Sequence, residues 1–228
     1  MEVIVLAGGF GTRLREVVPD LPKPMAPVSG KPFLELVLQA LCRQGVDSII
    51  LSVGYKADAI SRHFGDRFEG ATVRYSVEKV PLGTGGAVHQ ALAMCEGDHV
   101  LVLNGDSYVD LDILELENIW RDRRIPLIIA HEVEDSARYG RIETKNERVV
   151  GFSEKGMHGP GLINAGGYVF PTFILNNFPQ GSSFSLENDF LKDTVARINV
   201  GLYITRGRFI DIGIPEDYRR AQDLLAGL

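Results

Sequence analysis

This chain of 228 residues holds only two cysteines, Cys42 and Cys95, and they lack metal-ligand spacing. That excludes a disulfide framework and a cysteine-built zinc site, and the plain expectation is two buried, reduced thiols in the cytoplasm. No stretch approaches the roughly 20 apolar residues of a membrane span. Acidic Glu2 precedes a strand-like run, with no basic leader or small-residue cleavage pattern, so a signal peptide is not expected. A net charge of -6 has the wrong sign for broad nucleic-acid binding, and any anion site must be local. The five histidines, His63, His89, His99, His131 and His158, form no cluster, and no serine sits in a nucleophile elbow. Repeats, low-complexity tracts and linkers are also missing.

What is present is 45% hydrophobic, enough for one good core, and the expectation is one domain over residues 1–228. Apolar runs of strand length recur at residues 3–6, 48–53, 72–77, 99–103, 127–130 and 201–205. Helical periodicity lies between the first four, at residues 33–43, 57–64 and 84–94. Strands alternating with helices predict an α/β fold, with a mostly parallel mixed sheet flanked by helices. Past residue 131 the pattern changes. Residues 139–144 and 148–153 read as a hairpin around Lys145, Asn146 and Glu147, and residues 165–170 as a further strand. Residues 184–197 read as a helix opened by Ser185, and residues 215–225 as a closing helix with Pro215 in its first turn.

In such sheets ligands gather at the carboxyl ends of parallel strands, and four strand ends here carry unusual loops. The first is LAGGFGTRL. Gly8, Gly9 and Gly11 let backbone N–H groups approach a phosphate, and Arg13 offers a forked cation to neutralise it. A dinucleotide fingerprint is disfavoured, because the position of its third glycine is Leu14 and no acidic residue follows at the required distance. Lys23 stands between Pro22 and Pro24, which stiffen the chain around it and suit a cation held in place. The second end is VEKVPLGTGGA. Its Gly83, Gly85 and Gly86 exceed what a strand-to-helix turn needs and suggest close approach by a flat ligand such as a base. Thr84 is placed to cap the next helix, and Glu78 offers a carboxylate to the N1–H and N2–H groups of a guanine or else to solvent. The third end presents Asp106 after Asn104 and Gly105, where a hard cation is commonly held. Asp110 and Asp112 read as helix caps. The fourth end presents Asp211, which could share a metal with Asp106. Between these two aspartates lie Glu154 with Lys155, and the NAGGY stretch with Asn164, Gly166 and Gly167. An ordinary surface ion pair and a phosphate contact both remain open for Lys155.

Taken together, GGFGTRL with KPM, PLGTGGA, NGD, an F-x-E-K segment, NAGGY and FIDIG resemble the sugar-1-phosphate nucleotidyltransferase family. They follow the family's order along nearly the whole chain. The resemblance implies a Rossmann-like nucleotidyltransferase fold and transfer of a nucleotide from a triphosphate to a sugar 1-phosphate, with release of pyrophosphate and help from Mg²⁺. It places Leu6, Ala7, Gly8, Gly9, Gly11, Thr12, Arg13, Glu78, Pro81, Gly83, Thr84 and Asp106 at the nucleotide. Arg13 and Lys23 would be the catalytic cations, and Asp106 with Asp211 would hold the metal. Asn104, Gly105, Glu154, Lys155, Asn164 and Gly166 would hold the sugar phosphate. The wording is nearest to the branch that uses GTP and a heptose 1-phosphate. Mannose 1-phosphate with GTP, a hexose 1-phosphate with UTP or dTTP, and a non-catalytic nucleotide-sugar-binding regulator are the alternatives. A regulator would be expected to lose Arg13, Lys23 or one of the aspartates, and all four are present. Family members often add a C-terminal β-helix, for which the chain to Leu228 leaves no room, and a homo-oligomer remains open.

Overall fold

The computed structural model describes residues 1–9, 11, 14, 17–153 and 155–228. Thr12, Arg13 and Glu154, three of the expected site residues, lie outside the described residues. The first half holds β1 (Glu2–Leu6), the short pair β2 (Pro27–Val28) and β3 (Lys31–Pro32), then α1 (Phe33–Arg43), β4 (Ser48–Val53) and α2 (Ala57–Phe64). It continues through β5 (Arg67–Phe68), β6 (Ala71–Val77), α3 (Gly83–Leu92) and β7 (His99–Asn104). The second half holds β8 (Ser107–Val109), α4 (Ile113–Arg123), β9 (Leu127–Val133), β10 (Ile142–Lys145), β11 (Arg148–Phe152) and β12 (Gly161–Pro171). It ends with α5 (Lys192–Arg197), β13 (Gly201–Thr205), β14 (Phe209–Asp211) and α6 (Pro215–Leu224).

Ten strands form one sheet in the order β10-β11-β13-β9-β12-β7-β1-β4-β6-β5. β7, β1, β4 and β6 run parallel as a block, which lines up four carboxyl ends along one edge. β12 inserts antiparallel between β7 and β9, so the sheet is mixed. The apolar runs are continuous because both faces are covered. Val3 and Val5 pack with side chains of α1, α2, α4 and α6, while Ile4 packs in the opposite layer with those of α3 and α5. Burying each such side chain is worth about 1.5–3 kcal/mol, which fixes the strand register and with it the positions of the loops.

Local signals explain most element ends. Asp112 caps α4, its Oδ1 accepting the Glu115 N–H at 2.9 Å. Ser185 caps a wide helical turn over Leu186–Leu191 that runs on into α5, its Oγ accepting the Asn188 N–H at 3.1 Å. The β10–β11 hairpin turns on Asn146 and Glu147, both at positive φ (51° and 60°), the tight geometry that suits the strands' twist. Three expectations are corrected. Cys42 and Cys95 are free but only partly buried. Asp110 caps no helix; its carboxylate accepts from the Arg208 backbone N–H and Nε, both at 2.9 Å, a charge-assisted pairing stronger than a cap. Thr84 lies inside α3, whose N-cap is Leu82; its hydroxyl accepts the Leu186 N–H at 2.8 Å instead.

Of the glycines of α3, Gly83 is exposed and lines the cleft described below, while Gly85 and Gly86 are buried and corrected in role. A Cβ on Gly83 would lie 2.5 Å from the Phe184 carbonyl oxygen, on Gly85 2.2 Å from the Phe184 ring, and on Gly86 2.3 Å from the Ser182 carbonyl oxygen. The space they clear is filled by the chain itself, with the Gly85 N–H donating to Phe184 O at 2.9 Å and the Phe184 N–H to Leu82 O at 2.9 Å. Phe184 is stacked on Phe178 with ring centroids 4.0 Å apart and has no room to retreat. Gly85→Ala is therefore expected to destabilise the protein by about 1–3 kcal/mol, the usual cost of overpacking. Urea unfolding should show a lowered midpoint, and an unchanged midpoint would mean that the ring can move aside.

Candidate active site

The carboxyl ends of β1, β4, β6 and β7 open into a cleft of about 560 Å³. Its construction starts with the loop after β1. A Cβ at Gly8 would come within 2.4 Å of Glu78 Oε1, and one at Gly11, where φ is +57°, within 2.6 Å of Lys23 Cβ. Any side chain at these two positions would displace a charged residue of the cleft. Among the described residues, a Cβ at Gly9 would meet nothing within 4 Å. The loop thus touches Glu78 at one glycine and Lys23 three residues later, a separation of at most about 11 Å.

Lys23 is fixed as its flanking prolines suggest. It opens a single tight turn, with the Met25 N–H on Pro22 O at 2.8 Å and the Ala26 N–H on Lys23 O at 3.0 Å. Its side chain is only 8% exposed, and Nζ lies 2.6 Å from Asp106 Oδ2 and 3.5 Å from Asp211 Oδ1. The two aspartates meet because β14 pairs antiparallel with β8, setting Asp211 opposite Ser107, the neighbour of Asp106. The Ile212 N–H donates to Asp106 O at 3.0 Å and locks that register. Burial raises the Asp211 carboxyl above its ordinary value, the charge of Asp106 adds to the rise, and Lys23 opposes both.

Glu78 sits just past β6, with its Oε2 accepting the Leu82 N–H at 3.0 Å. Burial raises its carboxyl above the ordinary value, and that hydrogen bond works in the other direction. Leu6, Pro81, Gly83, Thr84 and Asn104 line the same cleft. Asn104 packs against a bulge in β12, where Asn164 faces Ala130, Gly167 faces Ile129, and two residues between them lack partners on β9. Gly166, one of those two, takes φ +75°, and a Cβ there would lie 2.5 Å from Asn104 Nδ2. The bulge re-aims Asn164, whose Oδ1 accepts the Gly166 N–H at 2.9 Å while its Nδ2 donates to the Tyr168 hydroxyl at 2.7 Å. The Tyr168 hydroxyl donates on to Glu187 Oε1 at 3.4 Å, and the Thr84 hydroxyl to Glu187 Oε2 at 2.9 Å. Full burial pushes the Tyr168 hydroxyl well above its ordinary value, so it stays a donor.

Not every expected residue reaches the cleft. Ala7 is 1% exposed and turned into the core, its N–H on Ser52 O at 2.7 Å. Gly105 is spent on packing, since a Cβ there would stand 2.7 Å from the Leu6 carbonyl oxygen. Lys155 is exposed in the segment between β11 and β12, and neither it nor Asn164, Gly166 or Asp211 is among the cleft's lining residues; Gly166 reaches the cleft only through Asn104 and Asp211 only through Lys23. Conversely, Tyr55 and Lys79 line the cleft and Glu187 bridges Thr84 to Tyr168, none of them expected from the sequence. Tyr55 follows β4, a parallel strand whose carboxyl end lies between those of β1 and β6, and that position was the available signal. Glu187 had none for this bridge, because Tyr168 and Thr84 are 19 and 103 residues away from it.

Asp106 and Asp211 are hard oxygen donors converging on a cation, here the Lys23 ammonium. Among the described residues, no group of three or more His, Cys, Asp or Glu side chains forms a metal-binding cluster. Two carboxylates, with the remaining ligands left to phosphate and water, are what a small divalent cation such as Mg²⁺ accepts.

A parallel αβ block with a glycine loop, a fixed lysine and paired carboxylates at its strand ends defines a nucleotide-handling transferase. The sequence matches the Nucleotidyl transferase family over residues 2–226, and the chain belongs to that family. It is 41% identical to the D-glycero-alpha-D-manno-heptose 1-phosphate guanylyltransferase of Aneurinibacillus thermoaerophilus, with 97% of each chain covered. An enzyme of the same name from Campylobacter jejuni is 40% identical over 96% of this chain and 97% of its own length. The fold matches the crystal structure of HddC from Yersinia pseudotuberculosis complexed with GMP-PN, with a TM-score of 0.86, 40% identity and coverage of 97% and 98% of the two chains. Among the described residues, no helix is long and apolar enough to cross a membrane.

Proposed function

We propose that this chain transfers GMP from GTP to D-glycero-α-D-manno-heptose 1-phosphate in the cytoplasm, giving GDP-heptose and pyrophosphate. The observation that carries the reading is that one cleft is lined by Glu78 and by Lys23 and Asp106, with Asp211 behind them 3.5 Å from Lys23, and that the Gly8–Gly11 loop joins the two ends. A base, a ribose and a phosphate in succession need that order of groups and that order of separation. The choice of guanine and heptose rests on relatives that share 40–41% identity along nearly their whole length.

The chemistry asks little of the protein beyond alignment and charge. An oxygen of the sugar phosphate attacks the α-phosphorus of GTP in line with departing pyrophosphate. That oxygen is already ionised near neutral pH, so no general base and no covalent nucleophile are required. The Lys23 ammonium, poorly exposed and therefore weakly screened, offsets the charge that builds as two anions meet. Arg13, outside the described residues, is assigned a second positive charge on the phosphates. Asp106 and Asp211 would hold Mg²⁺, which supplies Lewis-acid neutralisation of the phosphate oxygens when bound. Glu78 would accept the two N–H groups of the guanine edge, and Asn164 would orient the sugar phosphate.

A panel of purified protein with each of five nucleoside triphosphates and several sugar 1-phosphates, scored by pyrophosphate release, tests the reading. GTP with the heptose 1-phosphate should give the highest kcat/KM, and a faster reaction with UTP, dTTP or a hexose phosphate would replace it.

Glu78 adds a sharper expectation. Two hydrogen bonds to a carboxylate are worth about 1.5–3 kcal/mol each, so Glu78→Gln, which keeps one acceptor, should weaken GTP about 10- to 100-fold. The carboxylate is the binding form, so wild-type affinity should fall as pH drops through the Glu78 pKa. Because burial raises that pKa, the loss should begin at a higher pH than for a solvated glutamate. In the glutamine variant this component of the profile should vanish. Calorimetric titration of GTP between pH 8 and pH 5 checks both, and wild-type affinity in the variant would remove Glu78 from base recognition.

A further inference from the structure

Glu187 lies half-buried in the wide helical turn Leu186–Leu191, and no cation pairs with it among the described residues. Three hydroxyls converge on its carboxylate instead. The Thr84 hydroxyl donates to Oε2 at 2.9 Å, the Ser185 hydroxyl to the same oxygen at 3.1 Å, and the Tyr168 hydroxyl to Oε1 at 3.4 Å. An ionised carboxylate only accepts, and its two oxygens have room for all three donors. An amide in its place would have to turn its own donor toward one of the hydroxyls. A widened turn inside a helical run is rare and recurs at functional sites, and here it carries Glu187 to the first turn of α3.

Two arms run from this carboxylate to opposite walls of the cleft. One ends at Thr84, a lining residue on α3. The Thr84 proton is committed to Glu187 while its oxygen accepts the Leu186 N–H at 2.8 Å, so the side chain stands as a fixed wall with no proton left for a ligand. The other arm ends at Asn104, the last residue of β7 and also a lining residue. Fully buried Tyr168 accepts from Asn164 Nδ2 at 2.7 Å, and Asn164 Oδ1 accepts the Gly166 N–H at 2.9 Å. Gly166 then packs on Asn104 so closely that a Cβ would lie 2.5 Å from Asn104 Nδ2. Glu187 is not itself a lining residue and reaches the cleft only through these two arms.

We infer that Glu187 is a positioning residue: holding Thr84 with one carboxylate oxygen and Tyr168 with the other, it fixes the separation between the α3 wall and the end of β7, and so keeps a ligand that spans the cleft aligned for reaction. This role rests on the proposed function, in which that ligand is GTP, with its base beside Glu78 and its phosphates at Asp106. Misplacing a bound substrate by about 1 Å costs roughly 10²-fold in rate, while the contacts that give affinity survive it. Glu187 contacts neither Glu78 nor the Lys23–Asp106 pair, so its loss should appear in kcat and not in KM.

The test compares wild type, Glu187→Gln, Tyr168→Phe and the double variant by pyrophosphate release, with rates taken where thermal unfolding shows each protein folded. Hydrogen exchange of peptides covering residues 82–88 and 163–169 reads the two arms. Glu187→Gln should lower kcat about tenfold or more, with KM for GTP within about threefold of wild type. Tyr168→Phe should lower kcat less, and the double variant should be no slower than Glu187→Gln, because both substitutions cut one network. Exchange protection should fall in both peptides of Glu187→Gln and only in the 163–169 peptide of Tyr168→Phe. A silent Tyr168→Phe beside a slow Glu187→Gln, or a KM for GTP that rises as much as kcat falls, would overturn positioning in favour of direct contact with substrate. A wild-type kcat in Glu187→Gln would overturn it outright, and unchanged protection in either peptide would overturn the brace. A wild-type protein that turns over no GTP with any sugar 1-phosphate would instead sink the proposed function and the alignment role with it, a result separable because the exchange data still read the brace.

Discussion

Asp106→Ala is expected to lower the rate of pyrophosphate release at saturating substrates by at least about 10³-fold, on the scale set by losing a charge-stabilising group at a phosphoryl centre. The fold should survive. The Asp106 side chain is 37% exposed, its backbone carbonyl still accepts the Ile212 N–H, and Lys23 keeps Asp211 as a partner at 3.5 Å. Surface-accessible pairs of this kind contribute about 1 kcal/mol or less, so thermal unfolding should shift by only a few degrees. Binding gives a sign that a folding defect could not mimic. Without divalent ions, the Asp106 carboxylate repels a triphosphate, and its removal should leave GTP affinity equal or stronger. With Mg²⁺ present the same substitution should weaken GTP, because one of two protein ligands has gone. Titrations of GTP in chelator and in Mg²⁺ read this directly. Wild-type turnover in the variant, or weaker GTP binding in chelator, would show that Asp106 is not where the metal–phosphate chemistry occurs.

The placement of that chemistry was legible because strand ends are legible. Val3 to Leu6 and His99 to Leu103 read as buried strands from their apolar content alone, and a parallel sheet sends Gly8 and Asp106 to the same edge whatever else the chain does. The pairing of Asp106 with Asp211 was only a suggestion until β8 and β14 were seen to meet, since strands of three residues carry no readable period. Lys23 was readable from its two prolines, which fix backbone locally and need no tertiary knowledge. Gly85 and Gly86, buried in α3, were misread for the opposite reason, while Gly83 does line the cleft. Gly83, Gly85 and Gly86 do mark close approach, but what approaches is Phe184 and Ser182, about a hundred positions later, and no local rule distinguishes a ligand from the chain's own return. Asp110 was misread as a cap because an aspartate before a helical stretch is ambiguous until its partner, Arg208, is known. Gly166 shows the two levels working together. A glycine pair inside a strand signals a bulge, yet only the register of β12 against β9 shows that the bulge turns Asn164 and seats Asn104.

Lys23→Ala should be the other severe lesion, with a different profile. In the free protein the Lys23 ammonium lies 2.6 Å from Asp106 and 3.5 Å from Asp211, so the alanine variant leaves two carboxylates facing each other without a counter-charge. Breaking a fully buried pair costs about 3–5 kcal/mol, but these aspartates are a third exposed and water will screen them, so about 1–2 kcal/mol is the expected loss of stability. Catalysis should suffer more, by about 10²- to 10³-fold in kcat/KM, because a fixed, poorly solvated positive charge is lost where two anions must meet. Divalent cations should stabilise this variant against heat more than they stabilise wild type, since no ammonium then competes for the carboxylates. Lys23→Arg separates the two roles. A guanidinium can still sit between the aspartates and should restore the urea midpoint, but its planar fork cannot replace a compact ammonium between Gly11 and Pro24 without moving them, and activity should stay low. If Lys23→Ala turned over at the wild-type rate, or if the arginine variant recovered rate and stability together, the lysine would be no more than a structural counter-ion for two acidic strand ends.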